Sequence, residues 1–388
     1  MLIAATLALV SATVTACAGT DGSSVDARGA TSSTLSPEHA SSSGASGTDA
    51  SSSESSSSKS PSTTQRPVTG SGQAVTLAFA GDTNFQNQLA AVKSSPGTVL
   101  SAIAPTLSAA DVTMVNLEAA LGTGGSPVNK KFTFQVPEQA LTALSSAGVD
   151  VVTMANNHGM DYGPVGFADS LRIKASHAMP ILGIGADDAE AYTPWVTEVK
   201  GQKIGFVAAN DVFDAALVSS WTAAPSHPGI ASAEEAHQDR LAKEVRDLRP
   251  TVDTLVVFLH YGTETQICPN QRQKDLVALL TEAGADIVVG SHPHRLQGVG
   301  YRGEQFVAYS LGNFAFQANS PDGAATGVLT VTATGRQIDS YTWTPAVIRN
   351  SVPFPLTGAS AQAAQATMTQ RQQCAGLTST ATGQGATR

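Results

Sequence analysis

Apolar and polar positions in this chain fall into short β-branched runs, and six of those runs end on side chains of the kind that hold metals. Residues 75–80 lead to Asp82, residues 112–117 to Glu118, residues 149–155 to Asn156-Asn157-His158, and residues 255–259 to His260. Val288-Val289 passes through Gly290-Ser291 into His292-Pro293-His294, and residues 306–311 lead to Asn313. Apolar runs of this length, bounded by polar residues, predict buried strands. In an open α/β sheet the loops beyond the carboxyl ends of the strands converge on one crevice. The six polar loops are therefore predicted to meet, although they are far apart in sequence. Asp, Glu, Asn and His without cysteine suit Mn, Fe, Mg or Zn as ligands.

Helical spacing appears just before two of these strands. Ala140, Leu141 and Leu144 recur at intervals of one and three, as do Leu276, Leu279 and Leu280 at three and one. The segment Leu144-Ser145-Ser146-Ala147-Gly148-Val149-Asp150 is echoed by Leu280-Thr281-Glu282-Ala283-Gly284-Ala285-Asp286. Each predicts a helix closed by a left-handed glycine and then a strand. One copy ends in Asn-Asn-His and the other in Ser-His-Pro-His, which would bring two parts of a sheet to a shared site.

The ends of the chain differ in character. Residues 1–17 are apolar or small and close on Val14-Thr15-Ala16-Cys17. A membrane span takes about 20 apolar residues, so this stretch reads as a signal-peptide core. Its ending resembles the bacterial lipobox, which predicts acylation of Cys17 and attachment to the cell membrane outside the cytoplasm. An ordinary secretory signal with a chance cysteine is the other reading. Residues 18–73 are Ser-rich and nearly free of large apolar side chains, so they are expected to stay disordered with an r.m.s. span of roughly 40 Å. Residues 74–350 form the predicted domain, and residues 351–388, rich in Ala, Gln and Thr, are expected to be loosely ordered. A formal charge of −9 without a basic run argues against nucleic acid as a partner. Outside the cytoplasm Cys268 and Cys374 are able to form a disulfide; two free thiols are the alternative.

Taken singly, some of these residues have plainer readings. Asp82 after a strand could cap a helix, and His260 after an apolar run could be a buried histidine bonded to a carbonyl. His292 and His294, flanking Pro293, have no packing role of that sort. Ser310 lies in no nucleophile elbow, which argues against serine-hydrolase chemistry.

Seven motifs in order settle what the pattern resembles: Gly81-Asp82, Asn116-Leu117-Glu118, Lys131-Phe132-Thr133-Phe134, Ala155-Asn156-Asn157-His158 with Asp161 and Gly163, His260-Tyr261-Gly262-Thr263-Glu264, Gly290-Ser291-His292-Pro293-His294, and Ser310-Leu311-Gly312-Asn313-Phe314. Together they resemble the CapA/PgsA family of capsule or poly-γ-glutamate biosynthesis, which looks related to the calcineurin-like metallophosphoesterases. The resemblance implies an α/β (α+β) fold, a β-sandwich flanked by helices, with one or two divalent ions at the strand ends. It implies metal ligation by Asp82, Asn84, Glu118, Asn157, His260, His292 and His294. His158, oriented by Asp161, is implied as the catalytic group. Phosphoesterases carry histidine two residues after the first aspartate, where this chain has Asn84, a weaker oxygen ligand. Relatives often show arginine where this chain has Gln135; Lys130 and Lys131 stand nearby as sources of charge. Lys131, Gln135, Glu264, Arg295 and Asn313 are the substrate-binding candidates. The implied function is a cell-surface hydrolase or transferase acting on an anionic envelope polymer or a phosphoester, in contact with a membrane synthesis or export complex. A non-catalytic, metal-containing polymer-binding subunit is the alternative.

Overall fold

The computed structural model describes residues 69–382. The expectations for Cys17 and for nearly all of the Ser-rich segment lie outside the described residues. The chain first lays down four parallel strands, β1 (Val75–Thr83), β2 (Val112–Leu117), β3 (Val151–Thr153) and β4 (Ile181–Leu182). Helix α1 (Gln139–Ser146) joins β2 to β3, and α2 (Gly163–Ser176) joins β3 to β4. A second sheet follows: β5 (Trp195–Val199), β6 (Gln202–Asn210), β7 (Thr254–His260), β8 (Ile287–Ser291), β9 (Val299–Arg302) and β10 (Gln305–Ala308). Helices α3 (Gln238–Leu248) and α4 (Gln271–Ala283) precede β7 and β8. The chain returns to the first sheet through β11 (Asn313–Ala315), β12 (Ala325–Thr334), β13 (Gln337–Arg349) and β14 (Val352–Pro355), followed by α5 (Gly358–Ala375). The first sheet runs β14-β13-β12-β1-β2-β3-β4 with β11 beside β1, and the second runs β9-β10-β8-β7-β6-β5.

Strand β7 shows why two sheets form rather than one. All of its residues are buried, but alternate side chains serve different cores, as the period of a strand dictates. Val256 and Phe258 join Phe79 of β1 and Val289 of β8 in a core shared by both sheets. Leu255, Val257 and Leu259 join a second core with Leu241 and Val245 of α3 and Leu276 and Leu280 of α4. The product is a β-sandwich flanked by helices.

The repeated helix–glycine–strand segment closes as expected. Gly148 has φ 92° and Gly284 φ 117°, and a Cβ on Gly148 would stand 2.7 Å from the Cα of Ser108. Strands β3 and β8 follow at equivalent positions. At Gly81 a side chain is excluded for another reason: a Cβ there would lie 2.0 Å from the Gly312 carbonyl. That close approach lets β11 sit against β1 and pairs Asp82 with both Asn116 and Asn313 in register.

The segment after Ser351 departs from the expectation of loose order. It forms β14 and the helix α5. The helix carries no apolar stripe of the usual kind; its buried positions are Met368, Arg371, Gln372 and Ala375. Gln372 donates to the Val299 carbonyl (2.7 Å) and to Tyr341 Oη (2.8 Å), and Arg371 donates to the Leu296 carbonyl and to Asp322 (3.1 Å). Cys268 and Cys374 are joined by a disulfide, with Cα atoms 5.7 Å apart, so α5 is tied to the loop that follows His260. No helix of the described residues is long and apolar enough to cross a membrane.

Candidate metal centre

Because β1, β2 and β3 are parallel, as are β7 and β8, their carboxyl ends deliver side chains in the same direction. Asp82, Glu118, His260 and His292 arrive there buried, and His294 arrives half-buried. Two donor sets result: Glu118, His260 and His292 in one, and Asp82, Glu118 and His294 in the other. In each set the ligand atoms lie within 4.8 Å of one another. Glu118 belongs to both. Asn157 faces the first set, its Oδ1 standing 2.8 Å from His260 Nε2.

A network of amides fixes the carboxylates and imidazoles. Asn116 Nδ2 donates to Asp82 Oδ1 (2.8 Å), and Asn156 Nδ2 donates to Asn116 Oδ1 and to the Leu117 carbonyl (both 2.9 Å). His260 Nδ1 lies 3.1 Å from Ser291 Oγ, leaving Nε2 turned toward His292 Nδ1 at 3.1 Å. An imidazole that binds a cation through one nitrogen is commonly oriented through the other in this way. His294 Nδ1 is 2.8 Å from Asn313 Oδ1 and 3.3 Å from Asp82 Oδ2. The His-Pro-His turn is strained: His292 has φ 96° and His294 φ 51°. Left-handed backbone at a non-glycine residue costs on the order of 1–3 kcal/mol and persists where surroundings enforce it. Here the His292 N–H donates to Asp82 Oδ2 (3.2 Å), and the Pro293 carbonyl accepts from Thr265 (2.8 Å).

Charge in the centre is unbalanced without a cation. Both oxygens of Glu118 are buried and without a hydrogen-bond partner. Burial, with the charges of Asp82 and Asp161 adding to it, raises the Glu118 carboxyl well above its ordinary range. Burial also acts to raise Asp82, but hydrogen bonding and the charge of His294, with bonds from Asn116 and Ser291, outweigh it and hold Asp82 low. Burial and the neighbouring histidines push His260 well below its ordinary value and His292 down to about 3. These two imidazoles are neutral, the form that binds metals. His294 goes the other way: burial is overcome by the hydrogen bond and charge of Asp82.

The distances suit divalent ions. Glu118 Oε1 lies 3.7 Å from His260 Nε2 and 3.8 Å from His294 Nε2. Those separations are too long for hydrogen bonds. They suit ligands of a common ion, since nitrogen and oxygen donors bind at about 2.0–2.2 Å. A buried carboxylate with two unpartnered oxygens, facing neutral imidazoles, fits a cation.

Other predicted residues fall differently. His158 is in neither donor set; its Nδ1 is 2.5 Å from Asp161 Oδ2 and its Nε2 is 3.8 Å from Glu118. Burial, outweighing the Asp161 hydrogen bond, lowers the His158 pKa. Asn84 is buried, and its Oδ1 accepts from the Gln86 N–H (3.2 Å). Gln135 donates to the Gly124 carbonyl (2.7 Å). Lys131 is exposed, with its ammonium over the ring of Phe132 (5.1 Å). Glu264, Arg295 and Asn313 line a groove with His158 and His294, walled by Phe132, Phe134 and Phe316.

Several residues have roles that the sequence alone did not assign to them. Asn116 and Asn156 carry the amide network, and the apolar run around Asn116 was the available signal that it is buried. Phe134 packs its ring on His158 (4.4 Å), and Phe316 packs on His294 (4.8 Å).

Known proteins share this arrangement of sequence. Residues 76–318 match the family model described as bacterial capsule synthesis protein PGA_cap. The PGA biosynthesis protein CapA of Bacillus subtilis (strain 168) is 28% identical over 258 residues, covering 65% of this chain and 66% of the relative. The capsule biosynthesis protein CapA of Bacillus anthracis is 27% identical over 254 residues, covering 63% of this chain and 60% of the relative. The match thus spans slightly less than two thirds of the length of either relative. Among solved structures, a hypothetical protein from Thermus thermophilus overlaps at a TM-score of 0.44 with 15% identity, over 70% of this chain and 98% of that one. With the family model covering more than half of its length, the chain belongs to the bacterial capsule synthesis protein PGA_cap family.

Proposed function

We propose that this protein is a divalent-metal-dependent hydrolase or transferase that acts on an anionic envelope polymer of the polyglutamate type, or on a phosphoester, during capsule synthesis or export. The observation that carries the reading is the shared carboxylate: Glu118 has no partner for either oxygen and stands in both donor sets. The relatives named for capsule and PGA biosynthesis support the polymer class. Bound there, Mn, Fe, Zn or Mg supplies positive charge for an anionic oxygen and acidifies water. His158, anchored on Asp161, exchanges a proton at Nε2. Phe134 packs on its ring and keeps water from that flank, while Arg295 and Asn313 line the groove for an anionic substrate. Purified protein should hydrolyse an aryl phosphate or poly-γ-glutamate in a manner abolished by chelation and restored by one of these metals. Activity that survives exhaustive chelation would sink the reading.

A second reading is a polymer-binding subunit that uses the metal centre to hold carboxylates without turning them over. Asn84, standing where phosphoesterases carry histidine, favours it, because an amide oxygen is a weaker ligand than an imidazole. Full metal occupancy and polyglutamate binding, with no turnover of either substrate class, would select it.

In the same proposal the protein lies outside the cytoplasm, anchored through Cys17. Cys17→Ser is expected to shed the native protein into the medium, whereas the unaltered chain should need detergent for release. Equal release of both forms removes the anchor.

A further inference from the structure

We propose that the groove beside the metal centre binds the amino-terminal end of a γ-linked glutamyl chain, Arg295 taking the α-carboxylate of the terminal residue and Glu264 its α-ammonium. This rests on the reading that the protein handles a polymer of the polyglutamate type, and adds which part of that polymer is held.

The groove encloses about 400 Å³, within the roughly 300–1,000 Å³ usual for small-ligand clefts. Among the described residues, Glu264 and Arg295 are the charged side chains that line it, apart from the imidazoles of His158 and His294. They are not paired with each other or with any other side chain. Arg295 Nη1 donates to the carbonyl of its own neighbour His294 (2.7 Å). The next guanidinium, Arg371, already holds Asp322 at 3.1 Å. Gly323 leaves room for Arg295, since a Cβ there would crowd Nη1 at 3.0 Å. Gln317 lines the same groove, and its Oε1 has no hydrogen-bond partner.

One unpaired cation and one unpaired anion in a single groove select a ligand that carries both charges, because either charge alone is repelled at one of the two positions. Along a γ-linked glutamyl chain every residue carries an α-carboxylate, but its α-nitrogen is tied up in an amide. The first residue alone adds an α-ammonium. A phosphoester brings negative charge only and leaves Glu264 facing it. The walls fit the same ligand. Phe134 and Phe316 are buried, and Phe132 is 57% exposed. Aromatic faces of this kind suit apolar carbon, and in a γ-linked chain the side-chain methylenes form part of the backbone. The amide N–H groups of that backbone match the unpartnered oxygen of Gln317.

The test is calorimetric titration of the full chain with γ-linked triglutamate, once with a free amino end and once acetylated there, in chelator and then with saturating Zn. The free peptide should bind at least about fivefold more tightly, the scale of a partly exposed ion pair. Glu264→Gln should abolish that preference by weakening the free peptide alone, whereas Arg295→Gln should weaken both peptides by a similar factor. Glu264 is exposed and makes no hydrogen bond, so its variant decides the matter if Arg295→Gln does not fold. Equal affinity for the two peptides overturns the proposal, as does a preference that persists in Glu264→Gln. Binding of phenyl phosphate with neither peptide bound gives the groove to phosphoesters instead. The amine preference is read without turnover. If it is present while metal-dependent hydrolysis is absent, the catalytic reading fails and the groove assignment stands; hydrolysis of the polymer without the preference gives the reverse.

Discussion

Glu118→Gln is expected to stabilise the metal-free protein and destabilise the metal-loaded one. Without metal, Glu118 is a fully buried carboxyl with no partner at either oxygen. Leaving a buried polar group unsatisfied costs about 1–3 kcal/mol, more if it is charged, and a neutral amide relieves the charged part. With metal, the same carboxylate belongs to both donor sets, so the amide weakens both. A ligand at a thousandfold excess over its dissociation constant stabilises the native state by about 4 kcal/mol, and much of that should be lost. Urea midpoints measured with chelator and with saturating Mn or Zn give the two signs. The metal-free pair should also diverge with pH. Burial, then Asp82 and Asp161, raises folded Glu118 well above its ordinary 4.5. The native state therefore keeps a proton that the unfolded chain releases near that value. The stability this confers is fully present below 4.5 and disappears as pH rises through the raised value. Glutamine has no such dependence, so the advantage of Glu118→Gln grows as pH rises. Taking the difference between the two proteins removes the opposite contribution of the depressed histidines. A loss of equal size with and without metal would mean that Glu118 is a packing residue.

The residues in that prediction were legible because strand ends are legible. Asp82, Glu118, His260 and His292 each stop an apolar run, and parallel strands must send their ends to one side. The glycine caps at Gly148 and Gly284 were legible for a similar local reason. The division into two sheets was not, when read from periodicity alone. β7 is buried on both faces, and a doubly buried strand is a continuous apolar run whichever sheet it joins. Helix α5 was missed because Arg371 and Gln372 dock it through hydrogen bonds to backbone carbonyls, which hydrophobic spacing does not register. Lys130 and Lys131 are adjacent and chemically alike. Only the path of the loop decides which of them reaches Asp161.

The second large effect is expected at His158. His158→Ala should retain the metal content of the unaltered protein, because His158 stands outside both donor sets with its Nδ1 held by Asp161. Turnover should nevertheless fall by a factor of ~10²–10⁴, the usual loss when a positioned acid or base is removed. Asp161→Asn should cost less. Its remaining oxygen can still accept from His158, but the new amide cannot accept from both Lys130 and the Phe134 N–H as the carboxylate does. A loss of kcat greater in His158→Ala than in Asp161→Asn, with KM little changed in both, is the pattern of a proton-exchanging group and its support. Metal analysis beside the kinetics separates the alternatives. If His158→Ala loses its ions along with its activity, His158 is a ligand. If it keeps both ions and full turnover, the proton is handled elsewhere, and the groove residues Glu264 and Arg295 become the next groups to test.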